Sequence, residues 1–166
     1  MLHVLAFTLV IHFSNVAGAP DPIVREAQAE VVDMLHDVGV EAEWDPVTPG
    51  TDVAARPDAV TLTLVPYEGG SLRQSDRTIM GVATRTELGT RVAVVFYRRV
   101  VEESDRHGVP ARRVLACAMA HELGHLLRDA PAHDRTGLMR GIWRESDFQD
   151  AGAGRLRFAL DPASPR

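Results

Sequence analysis

The chain has 166 residues, 45% hydrophobic and 25% charged, which places it among globular chains and excludes disordered, fibrous and disulfide-scaffold classes. Its net charge of −5 gives no electrostatic case for nucleic acid or an acidic membrane, and no apolar run is long enough to span a bilayer. All 18 basic residues are arginine, which reads as compositional bias, and the single cysteine, Cys117, rules out an internal disulfide.

Met1 to Val10 is apolar, and Ala17-Gly18-Ala19 has the small residues of a signal-cleavage site. No Lys or Arg precedes the apolar run, and cleavage after Ala19 would leave Pro20 first. The favoured reading is a strand, Leu5 to Phe13, with a removed signal peptide as the alternative. The chain therefore reads as cytoplasmic, or as secreted if that segment is a signal. Asp21-Pro22 opens a helix in which Ile23, Ala27, Val31, Met34 and Leu35 recur at helical spacing before Gly39. Val40 to Trp44 alternates as a short strand, and Asp45 to Ala59 reads as a loop. Ala59 to Val65 alternates valine and leucine with threonine, the pattern of a strand. Pro66 to Arg77 is a second loop, Thr78 to Thr84 a weaker strand containing Gly81, and Arg91 to Tyr97 a strong strand after a turn at Leu88-Gly89-Thr90. Val100 to Arg106 forms a short helix closed near Gly108, and Pro110 to Arg128 a long one. Trp143 packs in the core, and Ser146 caps a last helix reaching Phe158 or Leu160, weakened by Gly152 and Gly154. One domain spans residues 1–160, and residues 161–166 form a frayed tail.

The long helix carries the chemistry. His121-Glu122-Leu123-Gly124-His125 is an H-E-x-x-H sequence. Positions four apart lie one turn apart on nearly the same helical face, so both imidazoles can address one metal ion. Glu122, one step further round, reaches towards a bound water instead of the metal. A catalytic zinc needs a third protein ligand and an open position. His133 is the first downstream candidate, because Asp129, Ala130 and Pro131 end the helix and let the chain turn back. Asp129, Asp134 and Glu145 are the rival third ligands. Against the metal stands a metal-free core helix, since Val114, Leu115, Ala118, Leu123, Leu126 and Leu127 form an apolar stripe. Cys117 lies one turn before His121 and reads as a small buried thiol. His3, His12, His36 and His107 read as structural or surface residues, none at ligand spacing with another.

His121, Glu122, His125, His133 and Met139 together resemble the zincin metallopeptidases, and within them the metzincin-like branch, over about residues 110–143. Arg128 stands where that branch places a glycine and Pro131 where it places the third His; His133 comes two residues later, and Met139 follows it sooner. The resemblance implies an α/β (α+β) fold: a mixed twisted sheet of about five strands backed by two main helices, with H-E-x-x-H on the second. It implies one Zn2+ per chain held by His121, His125 and His133, with Glu122 as general base and Met139 as an apolar residue beneath the metal. Met139 otherwise reads as an ordinary core residue. The implied activity is endopeptidase hydrolysis of a peptide or protein substrate, with an extended peptide added to the edge strand of the Thr78–Thr84 region, which reads equally as a plain edge strand. Two other readings stand beside it. One is a non-catalytic binding protein with a structural zinc, marked by a fourth protein ligand such as Asp134 or Cys117. The other is a zinc hydrolase of a non-peptide amide.

Overall fold

Alternation builds the sheet. In Ala59–Val65 the side chains of Val60, Leu62 and Leu64 are fully buried, while Thr61 and Thr63 lie half-buried on the other face. In a computed structural model, which describes residues 8–48, 58–67, 79–128 and 132–159, five strands and four helices follow one another. They are β1 (Thr8–Asn15), α1 (Asp21–His36), β2 (Glu41–Pro46), β3 (Ala59–Val65), β4 (Gly81–Arg85), β5 (Arg91–Phe96), α2 (Tyr97–His107), α3 (Ala111–Leu127) and α4 (Glu145–Gly152).

The strand order is β2-β1-β3-β5-β4. The first four are parallel and β4 alone is antiparallel. Parallel neighbours need a crossover, and α1 supplies the one between β1 and β2. The antiparallel pair needs only a tight turn. Thr86 N–H donates to Thr90 O and Gly89 N–H to Thr86 O, each at 2.9 Å, with Gly89 at φ 81°, where a side chain would be strained. The long helices α1 and α3 pack on each other, and α3 lies against β4 and β5. Val24, Ala27, Val31, Met34 and Leu35 of α1 meet Leu9, Ile11, Leu62 and Leu64 of the sheet in one core shared with α3. The α+β class and the five-stranded mixed sheet are those expected from the sequence. The histidine motif sits on α3, the second of the two long helices. No helix among the described residues is long and apolar enough to cross a membrane.

Several boundaries differ from expectation. β1 runs on to Asn15, because Ser14 and Asn15 pair with Thr63 and Leu64 of β3; Leu5 to Phe7 lie outside the described residues. β2 runs from Glu41 to Pro46, since its register on β1 matches Pro46 to Phe13. β4 starts at Gly81 and reaches Arg85, and Thr78 lies outside the described residues. Tyr97 is the first residue of α2, so β5 passes into the helix without the expected gap. Gly108, at φ 64°, ends α2 where the sequence places its close. α4 is shorter than expected and ends at Gly152, with Gly154 at φ 70°. Ser146 does not cap it: Arg144 is the N-cap, its N–H donating to Asp147 Oδ2 at 2.8 Å. The tail, residues 161–166, lies outside the described residues.

Candidate metal centre

α3 is buried on nearly every side. From Val114 to Ala120 each residue is at most 3% exposed, so the helix runs through the core as an apolar rod. Its last turns emerge into a cleft of about 300 Å³ between β4 and the segment that carries Gly141 and Trp143. There His121 and His125 are half-buried, and His133 approaches from an exposed loop. The helix ends at Leu127, one residue before its expected end, and Arg128 is extended (φ −91°, ψ 147°). Asp129, Ala130 and Pro131, expected to turn the chain, lie outside the described residues.

The three imidazoles converge, with donor atoms within 4.8 Å of one another. The Nε2 atoms of His121 and His125 are 3.0 Å apart, close to the about 3.3 Å edge of a tetrahedron with zinc–nitrogen bonds of about 2.0–2.1 Å. The His133 ring centroid is 5.4 Å from that of His121 and 4.8 Å from that of His125. His121 Nδ1 lies 2.8 Å from Leu138 O, so Nδ1–H donates and the Nε2 lone pair is left for the cleft. Trp143 Nε1–H donates to the same carbonyl at 3.1 Å. His125 Nδ1 is buried without a hydrogen-bond partner among the described residues. Burial pushes the His121 imidazolium down to about 4, with His125, His133 and Arg128 adding repulsion against the Leu138 hydrogen bond. Burial, then His133 and Arg128, lowers His125 as well, against the pull of Asp134. Neutral rings with converging lone pairs suit a borderline-soft divalent cation such as zinc, because a metal-ligating imidazole must be unprotonated.

A turn places the Leu138 carbonyl. Gly137 adopts φ 74°, Leu138 N–H donates to Arg157 O at 2.8 Å, and Arg140 N–H closes the turn on Gly137 O at 3.1 Å. The same turn sends the buried Met139 side chain beneath α3: a Cβ on Gly124 would stand 2.5 Å from Met139 Sδ and 2.8 Å from Phe158 Cε1. Gly124 is thus a close-approach glycine, a role the sequence reading did not assign to it. Gly141 does the same for His133, whose Nδ1 would be 2.8 Å from an added Cβ.

Glu122 is 6% exposed, and burial pushes its carboxyl up to about 8. It runs beneath β4, where a Cβ on Gly81 would meet Glu122 Cγ at 2.7 Å and Oε1 at 2.8 Å. The sequence reading took Gly81 only as a weakness in a strand. A glycine inside a strand pattern was the available signal of close approach.

Asp134 and Glu145, two of the rival ligands, are engaged elsewhere. Asp134 accepts from both terminal nitrogens of Arg128, at 3.0 and 2.8 Å. Glu145 meets His107 Nδ1 at 2.7 Å, Asp129 lies outside the described residues, and Cys117 is fully buried with its thiol pushed up by burial. Among the described residues, His121, His125 and His133 are the one group of three or more such side chains close enough to share an ion. Trp143, expected in the core, is half-buried: it packs against the core and lines the cleft. His107 stacks on Phe148 at 3.9 Å between Glu103 and Glu145, and His12 pairs with Asp45 at 2.9 Å.

No protein-family model matches this chain, and no curated protein matches it. A solved structure described as the GM1 bound form of the ECX AB5 holotoxin is similar at a TM-score of 0.43 and 10% identity, over 90% of this chain and 80% of that one. A likeness that distant carries no argument about function.

Proposed function

We propose that this chain is a zinc-dependent metallopeptidase of the zincin type, metzincin-like, holding one Zn2+ through His121, His125 and His133. The observation that supports it most is the convergence of three imidazoles beside a buried carboxyl group, all opening on one cleft. Zinc bound by three neutral imidazoles supplies a Lewis acid that brings the pKa of water to about 7 and polarises a carbonyl. Glu122 is the general base. Its carboxylate, which a bound dication beside it would favour over the protonated form, takes the proton of the attacking water and hands it to the leaving amine. An extended peptide lies along β4, whose outer edge pairs with no other strand among the described residues. Met80, Val82 and Trp143 give the cleft apolar walls that exclude water. Met139, packed beneath Gly124, supports the helix turn that bears both ligands.

A structural zinc in a non-catalytic scaffold needs a fourth protein ligand. Asp134 and Cys117, two candidates for that place, are engaged elsewhere, Asp134 by Arg128 and Cys117 by the core, which favours the enzyme. The test pairs elemental mass spectrometry with a fluorogenic peptide library, on the wild type and on Glu122→Gln. One zinc per chain in both proteins, with turnover in the wild type alone, is the expected result. Absence of zinc uptake overturns the metal site. Undiminished turnover in Glu122→Gln removes the general base, and cleavage of small amides without any peptide moves the substrate to a non-peptide amide.

A further inference from the structure

Two of the three imidazoles stand on a core helix, and the third does not. His133 is exposed and lies six positions beyond Leu127, the last residue of α3, so something other than burial must hold it. On its far side the chain is tied down by Asp134 N–H, which donates to Met139 O at 2.9 Å, and by the bridge between Asp134 and Arg140. On its near side the tie is Arg128, the first residue past α3. Its Nη1 and Nη2 donate to Asp134 Oδ1 and Oδ2 at 3.0 and 2.8 Å, a two-pronged pair across six positions of chain. Nη1 also lies 3.4 Å from Ala132 O. The guanidinium therefore grips the residues on both sides of His133.

We propose that Arg128 and Asp134 form a clasp that positions His133, making Arg128 a positioning residue of the metal site. This rests on the three-histidine reading above. A planar fork suits the task, because two parallel hydrogen bonds fix orientation as well as distance, which a lysine ammonium does not. The sign of the effect identifies the role. Arg128 carries a positive charge close enough to act on His121 and His125. As a charge alone it repels a cation, so Arg128→Ala would tighten zinc. As a clasp it holds the third ligand in reach, so Arg128→Ala weakens zinc.

The experiment is zinc affinity by competition with a chromophoric chelator, on the full chain. The wild type, Arg128→Ala, Arg128→Lys, Asp134→Ala, the Arg128→Ala/Asp134→Ala double variant and His133→Ala are compared. We expect Arg128→Ala to lose about tenfold in affinity, the size seen when a group that orients a ligand is removed. The double variant loses no more than the larger single loss, because both changes open the same clasp. Arg128→Lys retains the charge and still loses affinity, and it keeps the test available if Arg128→Ala misfolds. Unchanged or tighter zinc in Arg128→Ala, or additive losses in the double variant, overturns the clasp while a weakened His133→Ala leaves the three-histidine site standing. Full affinity in His133→Ala, or no zinc in the wild type, removes that site and the clasp with it.

Discussion

The helix that carries His121 and His125 and the loop that carries His133 solve the same problem by opposite means. On α3 the two imidazoles inherit their positions from a rod with almost no exposed surface, and one hydrogen bond to Leu138 O sets the orientation of the His121 ring. On the loop His133 is exposed, lies against Gly141, and is followed directly by Asp134, which pairs with Arg128. Rigidity at the helix comes from packing, which is cooperative with the whole fold. Rigidity at the loop comes from a few polar contacts, individually weak and open to water and salt. The helical pair is thus placed by the core, and the third imidazole by contacts at the surface.

Removing a helical ligand should break this comparison most severely. His121→Ala or His125→Ala should abolish measurable zinc binding, while His133→Ala retains a weak two-ligand site; isothermal titration separates the cases, and equal losses at all three positions would put the loop on a par with the helix. Gly124→Val comes next. Its side chain collides with Met139 and Phe158, and overpacking of this kind costs about 1–3 kcal/mol, read by denaturant unfolding of the metal-free protein. A loss under half of that would mean that Met139 moves aside freely.

The pH dependence of the metal-free protein sharpens the same contrast, because the buried helix titrates abnormally. Glu122 is raised from 4.5 to about 8, so the folded state holds a proton that the unfolded chain releases, and stability falls as pH rises between those values. His121 is lowered from 6.5 to about 4, so stability is lost as pH falls through that window. The two slopes oppose each other from about 4.5 to 6.5. From pH 6.5 to 8 the Glu122 limb stands alone, at about 2 kcal/mol. Thermal scans of EDTA-treated wild type should show that decline and those of Glu122→Gln should not; a decline retained in the variant assigns it to another group. The smallest effect belongs to Arg85, whose guanidinium reaches from β4 to Leu126 O and Arg128 O at 3.0 and 3.2 Å. Arg85→Ala should loosen the edge strand and raise KM for an extended peptide a few-fold with kcat nearly unchanged; a loss confined to kcat would place Arg85 in the chemistry.

The same division explains what was legible in the sequence. The helix pair follows from spacing alone, since residues four apart must share a face. β3 follows from alternation and α1 from its apolar recurrence, because both patterns are local. What escaped was non-local. The start of α2 at Tyr97 is hidden because Val94, Val95, Phe96 and Tyr97 continue an apolar run through the end of β5. The place of Gly81 over Glu122 and of Gly124 over Met139 depends on which segments the fold brings together. The grip of Arg128 on Asp134, six positions on, is one that no periodicity encodes. The sequence offers His133 only as the first candidate downstream of the helix, and its convergence with His121 and His125 is a property of the fold.

The chain has two tryptophans, and the strand order sets them far apart. Trp44 sits on β2 at one border of the sheet, its indole donating to Gln28 O and its ring edge-on to Phe13. Trp143 stands by β4 at the other border, sharing a carbonyl with His121 and 6.1 Å from its ring. The protein thus carries its own optical gauge. Emission from Trp143 reports events at the histidines while Trp44 serves as the internal reference, so with Trp44→Phe and Trp143→Phe each signal can be followed without an added dye.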